Sequence, residues 1–192
     1  ATSITSLGST LDDAAGEAFD KVARLLGLPF PGGPHIDRVA SAGDPTAIAF
    51  PRGLTAAKDQ VTHRHDFSFS GLKTAVAVHV ARHGVPALGH GLEDLCASVQ
   101  SAIVDTLVRK LVAAARIERV THAVISGGVA ANRGLRAEAL RETQARGVAL
   151  HVPPARSCTD NAAMIAYAGA TLLAEGRRDG LAQSAQVTTS SI

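Results

Sequence analysis

The hydrophobic and polar positions of the chain alternate between stretches with a helical period and short apolar runs. Between residues 91 and 117, apolar side chains recur at steps of three and four, which places them along one stripe of a long helix. The members of this stripe are Leu92, Leu95, Cys96, Val99, Ile103, Leu107 and Leu111. We therefore expect this helix to face the core along most of its length.

Shorter helices are predicted before it, each bounded by glycine, proline or a capping hydroxyl. Their predicted ranges are residues 11–26 capped by Ser9 or Thr10, residues 34–42, and residues 71–83 capped by Ser70. Alternation of polar and apolar positions at residues 2–7 predicts a strand, and a second short strand is predicted at 47–50.

The last third of the chain has the most regular pattern. It predicts a strand at 120–126, a helix at 132–146, a strand at 148–152 and a helix at 159–175. Strand, helix and strand joined by short connections indicate two parallel strands with a right-handed crossover. Residues 177–192 hold few apolar side chains, and we expect a loose C-terminal tail there.

Composition narrows the fold class to α/β. Apolar residues make up 46% of the chain but aromatic residues only 3%, so the core must be aliphatic, which suits helices packed on a parallel sheet. The scarcity of aromatic side chains also argues against a surface that grips single-stranded nucleic acid by extensive base stacking. The formal charge of +2 permits an RNA partner without requiring one.

The cysteines and the apolar runs bear on the compartment. Cys96 and Cys158 belong to no CxxC pair, which argues against a disulfide framework or zinc site and favours a reducing, cytoplasmic environment. We expect both to be small packed apolar groups rather than nucleophiles. No apolar run approaches the roughly 20 residues of a membrane span. The chain lacks an initiator Met and opens on an alternating segment, which predicts that it was cut from a longer protein; an engineered or processed terminus is the alternative.

The clearest candidate for ligand binding follows the strand at 120–126. In open α/β sheets, ligands bind beyond the carboxyl ends of the strands, and here Gly127-Gly128 leads into a helix that begins near Asn132. Glycine permits close approach to the backbone, the helix start offers free N–H groups, and the amide can both donate and accept. The alternative is a tight strand–helix turn in which Asn132 only caps the helix.

Three further polar groups have both a functional and a structural interpretation. Asp160 stands in a first helical turn, where it either ligates a divalent metal or merely complements the helix dipole. Lys73 either binds phosphate or belongs to a capped amphipathic helix, and we favour the second. His79 and His83 are spaced as a metal pair, but without a third ligand nearby a surface pair is favoured.

Three carboxylates share one face of the first helix. Asp13, Glu17 and Asp20 stand at steps of four and three, with Lys21 one position off their face. Mutual repulsion disfavours this arrangement in a purely structural helix, whereas binding of ribose hydroxyls would explain it. A solvated acidic face is the alternative. The rigid segment Pro31-Gly32-Gly33-Pro34 follows, with backbone open for ligand contact.

Five segments, in order, resemble the tRNA threonylcarbamoyladenosine transferases, a family formerly called O-sialoglycoprotein endopeptidases. They are DDAAGEAFDK at 12–21, PGGP at 31–34, DFSFSGLKT at 66–74, SGGVAANRGLR at 126–136 and CTDNAAMIAYAG at 158–169. The resemblance covers residues 4 to about 176.

The resemblance implies one half of the fold shared by actin, sugar kinases and heat-shock ATPases, an RNase-H-like mixed sheet flanked by helices. Residues 1–7 would then be the last strand of a truncated N-terminal half, 8–118 a mostly helical part with nucleotide-contacting loops, 119–176 a βαβα nucleotide-binding part, and 177–192 the tail. It also implies transfer of a threonylcarbamoyl group from threonylcarbamoyl-AMP to the exocyclic amine of the adenosine 3′ of the anticodon in ANN-decoding tRNAs.

Site residues follow from the resemblance position by position. Asp20, Gly33, Asp37 and Asn132 would hold the nucleotide part of the substrate, and Asp160 would ligate a divalent metal, iron in the usual description of the family. The implied partners are tRNA, threonylcarbamoyl-AMP and other subunits of a tRNA-modification complex.

The chain departs from the family pattern in one large respect. The family carries an N-terminal half with a His-x-x-x-His metal pair and a glycine-rich loop ending in Gly-Gly-His-Thr, and neither motif occurs in that place here. We therefore expect an incomplete metal site and no activity from the chain alone. A small-molecule kinase of the same fold and a non-catalytic partner subunit are the alternatives, and a protease is disfavoured because there is no HExxH motif.

Overall fold

The computed structural model describes residues 4–178 and residue 180. In chain order its helices and strands are α1 Ala15–Leu25, α2 Gly32–Ala40, α3 Asp59–Thr62, α4 Ser70–His83, α5 Leu92–Ile117, β1 His122–Val124, α6 Arg133–Gln144, β2 Ala149–His151 and α7 Ala162–Ala174. Short 3-10 turns cover Gly128–Ala131 and Ala155–Ser157. The predicted α/β class is confirmed, with helices in the majority.

The two strands form a parallel pair, as the sequence predicts. His122 lies opposite Ala149 and Val124 opposite His151, and α6 makes the crossover between the strands. The described residues contain no strand besides these two, so the mixed sheet of an actin-like half stays a prediction. Because β1 and β2 run in the same direction, the turns that follow them lie at the same edge of the sheet.

Helix α5 joins two hydrophobic cores. Its first half packs with α1, α2 and α4 around Phe19, Ile36 and Val76, and its second half packs against α6 and the sheet. The first five members of the predicted stripe are buried, while Leu107 and Leu111 are partly buried and contact the second core. The helical period therefore predicts this packing correctly.

Neither predicted N-terminal strand is present among the described residues. Residues 4–9 are irregular, and the neighbouring segment contributes a single bridge between Thr10 and Phe67. A strand needs a neighbouring strand to satisfy its N–H and C=O groups, and none of the described strands lies beside residues 4–7. Residues 1–3 lie outside the described part. At 47–50, the N–H of Ile48 donates to the Ser98 hydroxyl instead of to a strand.

The caps predicted for α1 and α4 are also wrong, because other residues satisfy the first N–H groups of these helices. Helix α1 begins at Ala15, later than predicted, and the Glu17 carboxylate accepts from the N–H of Ala14 at 3.4 Å. Ser70 is the first residue of α4 rather than its cap. The carboxylate of Asp12 takes that role.

Helix α7 differs from the others because all of its residues are exposed. Its apolar side chains include Ile165, Tyr167 and Leu173, each more than half exposed. Residues 177, 178 and 180 are irregular and exposed, and the rest of the predicted tail lies outside the described residues. Within residues 4–178, no helix combines the length and the apolar character that crossing a membrane requires.

Candidate active-site cleft

A cleft of about 760 Å³ opens between α1, α2, the turn after β1 and the start of α6. The four residues that the sequence assigns to substrate all line it: Asp20, Gly33, Asp37 and Asn132. Its volume falls within the range of about 300–1,000 Å³ typical of small-molecule sites. The structure thus brings together residues that are far apart in the chain, at the strand edge where ligands of α/β proteins bind.

The two glycines after β1 have different roles. Gly127 has a φ of 82°, a conformation that side chains with a Cβ rarely adopt, and it starts the turn toward α6. Gly128 lines the cleft, and a Cβ added there would meet no atom within 4 Å. The first glycine is therefore needed for the backbone, and the second leaves space in the cleft.

Asp20 connects α1 to the start of α2. Its Oδ1 accepts from the N–H of Gly32 at 2.7 Å, which satisfies one of the free donors at the start of that helix. Its Oδ2 accepts no hydrogen bond from the described residues and is available to a ligand in the cleft. Asp20 therefore combines a structural hydrogen bond with a free carboxylate oxygen.

The close contact of α1 and α2 depends on the first glycine of the Pro-Gly-Gly-Pro segment. A Cβ on Gly32 would lie 2.4 Å from the Cβ of Ala23 and 2.9 Å from the Cα of Asp20. A Cβ on Gly33 would come no closer than 3.9 Å to Phe19. The missing side chain of Gly33 is thus not a packing requirement, and its effect is to leave the cleft open.

Asp37 lies on α2 and holds an arginine of α6. Arg133 Nε donates to Asp37 Oδ2 at 2.7 Å, and its terminal nitrogen donates to the Asp37 carbonyl at 3.0 Å. This pair links the two helices at the rim of the cleft, and the guanidinium stays largely exposed. Arg38 lines the same cavity. The two guanidinium groups are matched in number by the carboxylates of Asp20 and Asp37, and each guanidinium has the geometry to bind a phosphate.

The amide of Asn132 is engaged twice within the protein. Its Oδ1 accepts from the N–H of Leu135 at 2.8 Å, so the predicted helix cap is present. Its Nδ2 donates to Gln100 Oε1 at 2.7 Å. The residue is only 8% exposed, and one hydrogen of Nδ2 and one lone pair of Oδ1 remain for a ligand.

Gln100 is a functional candidate that the sequence analysis missed. It lies on α5 and fixes which way the Asn132 amide points. A Cβ on Gly134 would lie 2.8 Å from Gln100 Nε2, so that glycine makes room for the contact. The sequence does contain a sign of this role, because the amide of Gln100 interrupts the apolar stripe of α5 directly after Val99.

Of the three carboxylates predicted to share a helix face, Glu17 and Asp20 lie on α1, while Asp13 precedes its first residue. Lys21 forms ion pairs with Asp13 and, at 3.8 Å, with Glu17, because its long side chain reaches back across the helix. The hydrogen bond to Asp13 raises the pKa of Lys21 above its ordinary value. The expectation that Lys21 stands apart from the carboxylates is therefore wrong, and of the three acids only Asp20 lines the cleft.

Asp160 is exposed and stands beside the cleft rather than in it. Its neighbour Thr159 lines the cavity, and Asn161 caps α7 by accepting from the N–H of Met164 at 3.0 Å. In the described part of the chain, no group of three or more His, Cys, Asp or Glu residues converges as a metal site would require. The residues of this chain that the structure describes therefore do not by themselves make up an iron site.

The remaining candidates are structural or lie elsewhere. The rings of His79 and His83 are 4.7 Å apart, and burial, with a contribution from His83, lowers the pKa of His79. Lys73 lines a separate groove between α1 and α4. Cys96 and Cys158 are buried, and burial raises the pKa of Cys96 to about 12, which confirms a packed thiol there. The Cys158 sulfur is packed too, but it accepts from Arg136 at 3.3 Å and is not in wholly apolar surroundings.

These features define an α/β protein with a ligand-sized, partly cationic cleft at the carboxyl edge of its parallel strands. Comparison with known proteins identifies the family. The family model described as "TsaD: tRNA N6-adenosine threonylcarbamoyltransferase" matches residues 1–167. The chain belongs to this family.

Individual relatives agree with this assignment and carry the same name, tRNA N6-adenosine threonylcarbamoyltransferase. The protein of Sorangium cellulosum is 57% identical over 179 residues, which are 93% of this chain and 49% of the relative. Those of Anaeromyxobacter dehalogenans and Geobacter sulfurreducens are 56% and 54% identical over 91% and 95% of this chain. The chain spans about half the length of the curated relatives it matches.

Proposed function

We propose that this chain is the carboxyl-terminal, substrate-binding half of an enzyme that makes N6-threonylcarbamoyladenosine in tRNA. The substrate amine is the exocyclic amine of the adenosine 3′ of the anticodon in ANN-decoding tRNAs. This amine attacks the carbamoyl carbon of threonylcarbamoyl-AMP and loses its proton. The bond from that carbon to the phosphate oxygen breaks, and AMP leaves with the electron pair. The observation that carries the proposal is the convergence of Asp20, Gly33, Asp37 and Asn132 on one cleft.

The groups in the cleft suit an adenylate. The free oxygen of Asp20 can accept from a ribose hydroxyl, and the open face at Gly33 and Gly128 admits a flat group. Arg133, held in place by Asp37, can pair with the phosphate and stabilise negative charge on the departing AMP. Most of the rate enhancement would come from alignment of amine and carbonyl within the site.

The proposed enzyme needs more than the described residues provide. We propose an actin-like fold in which Asp160 gives one carboxylate to a divalent metal, iron being the metal that the family resemblance implies, with the other ligands supplied from outside residues 4–178. The metal would supply stabilisation of negative charge on substrate oxygens. A tRNA substrate and the two unpaired cysteines suit a cytoplasmic enzyme that works with other subunits.

A chimera tests the proposal. The half of the Sorangium cellulosum relative that aligns with this chain would be replaced by the chain, and threonylcarbamoyladenosine in tRNA would be measured by mass spectrometry. We expect product from the chimera with threonylcarbamoyl-AMP and tRNA, and none from the 192 residues alone.

Substitutions within the chimera assign the activity to the cleft. Asp20→Asn should reduce product formation at least tenfold, because the amide presents a donor in place of a carboxylate oxygen. Glu118→Gln, an exposed site at the end of α5, is the matched control and should leave product formation unchanged. A well-folded chimera without product, or an Asp20→Asn variant with full activity, would refute the proposal.

A further inference from the structure

We propose that a groove between α1 and α4, together with the exposed ring of Phe30, is the docking surface for a single-stranded RNA loop. The groove is lined by Lys21, Arg24 and Leu25 of α1 and by Lys73 and Val78 of α4, and is called the cationic groove below. This inference rests on the proposed function, because it assigns a place to the RNA that must present its adenosine to the cleft.

A recess that shares lining residues with both lies between the cationic groove and the cleft. It shares Lys21 and Arg24 with the groove and shares Asp20 with the cleft. Phe30 and Gly32 line this recess together with the carboxylates of Glu17 and Asp20, whereas Pro31, Gly33 and Pro34 line the cleft. An RNA strand that follows the groove would therefore reach the cleft beside Asp20.

The charges in the groove favour a polyanion. Lys21 is paired with Asp13 and Glu17, but Arg24 and Lys73 form no ion pair with any of the described residues. No carboxylate lines the groove itself. Two cations without partners on facing helices suit successive phosphates of one strand, which position the RNA without selecting its sequence.

The ring of Phe30 can stack on an unpaired base, a contact that the paired bases of a duplex could not make. Its side chain is 83% exposed, although it is one of only five phenylalanines in the chain. Unpaired bases of RNA loops stack on such rings, whereas the bases of a duplex are already stacked on one another. Aromatic residues are too scarce here for an extended stacking surface, but one ring beside the cleft is enough to hold one splayed base.

Two variants test the two kinds of contact in the 192-residue chain, and neither alters a cleft residue. The probe is a fluorescein-labelled RNA hairpin with an anticodon-sized loop, and its Kd is measured by anisotropy over a salt series. Arg24→Gln/Lys73→Gln should weaken binding at least tenfold at low salt. It should also lower the slope of log Kd against log salt by about 1.4, the value for two single-strand phosphates.

Replacing the ring should have a different signature. Phe30→Leu should weaken binding of the hairpin about fivefold or more but leave a blunt RNA duplex unaffected, and Phe30→Tyr should restore hairpin binding. The matched control is Lys58→Gln/Arg109→Gln, which removes two exposed cations away from the groove and should change neither the affinity nor the salt slope appreciably. Equal urea midpoints show that each variant is folded.

The outcomes separate this inference from the proposed function. The RNA surface would be overturned by wild-type RNA affinity in the groove variants or by an equal loss of affinity in the control. It would also be overturned if an acidic protein such as casein bound with the same dependence on Phe30. AMP binding to the cleft, followed by calorimetry, reports on the proposed function. If the groove variants lose RNA while no form of the chain or of the chimera binds AMP or yields product, the RNA surface stands and the proposed chemistry falls.

Discussion

Single side chains fasten the segments around the cleft, and most of them act over a long distance in the sequence. Asn132 is held by Gln100, Arg133 by Asp37, and the start of α4 by Asp12. The family resemblance predicts which residues reach the cleft, and for Asn132 the position after a strand predicts the same. It does not predict their partners, because these lie on other elements whose relative placement depends on the packing of the whole core.

Asp12 is expected to make stability depend on pH. Burial would raise the pKa of its carboxyl, but hydrogen bonds from Ser68, Phe69 and Ser70 outweigh this and lower the pKa to about 2. Asp12→Ala should reduce the free energy of unfolding at pH 7 by about 1 kcal/mol, the usual effect of losing a helix cap. Urea denaturation of both proteins measures the difference.

The sign of the pH effect follows from the lowered pKa. The folded protein holds the charged form more strongly than the unfolded chain, whose ordinary pKa is 3.8. The stabilisation is therefore complete above about pH 4 and is lost as the pH falls through about 2. The curves of wild type and Asp12→Ala should converge in that window, and a difference that stays constant across it would exclude the charged cap.

Gln100 is expected to act on ligand binding through Asn132. Gln100→Ala leaves Asn132 Nδ2 without its acceptor, and we expect AMP binding to the cleft to weaken about fivefold, the equivalent of about 1 kcal/mol for one hydrogen bond. Gln100→Glu keeps an acceptor oxygen and should restore affinity in calorimetry. A Glu variant as weak as the Ala variant would show that the side chain has only a packing role.

At the scale of elements, the period of the sequence predicts the helices well and their ends poorly. The α5 stripe and the parallel pair β1 and β2 are found as predicted, because periodicity reflects burial on one face directly. The start of α1 and the cap of α4 are missed, because Glu17 and Asp12 outcompete the nearer hydroxyls. The contact of α1 with α2 is a further element-scale feature that follows from a single glycine.

The two adjacent glycines of that contact should respond differently to the same substitution. Gly32→Ala should lower the free energy of unfolding by about 1–3 kcal/mol, because the added methyl group collides with Ala23 and with the backbone of Asp20. Gly33→Ala has room for its methyl group and should alter stability little, while it narrows the cleft and weakens AMP binding. Urea denaturation and calorimetry of both variants test this, and equal stabilities would contradict the close approach.

For the whole molecule, α5 connects the helical core around Phe19 to the core of α6 and the sheet. The sequence indicates a long buried helix, but not that its two halves serve different cores. Residues 4–7 do not form the predicted strand, because a strand depends on neighbouring strands, which local alternation cannot report. The assignment of Asp160 to a metal also stays a prediction, because one carboxylate cannot specify which other residues would bind the same ion.

Protection from hydrogen exchange should follow this architecture. Amides of α5 should exchange slowest, because the helix contributes to both cores. Amides of α7 should exchange almost as fast as those of an unstructured peptide, because a thirteen-residue helix without buried side chains is marginal in water. Mass spectrometry of deuterium uptake gives both rates, and similar protection of α7 and α5 would contradict this picture.

Because α7 is exposed, the affinity of the cleft for AMP can be tested apart from the position of Asp160 at the start of that helix. Brief digestion with a protease that prefers aliphatic and aromatic side chains should cut within Ala162–Ala174 first and detach the last helix. The trimmed product would keep the cleft walls built from α1, α2 and α6, and with them its affinity for AMP, after the scaffold that anchors Asp160 is gone.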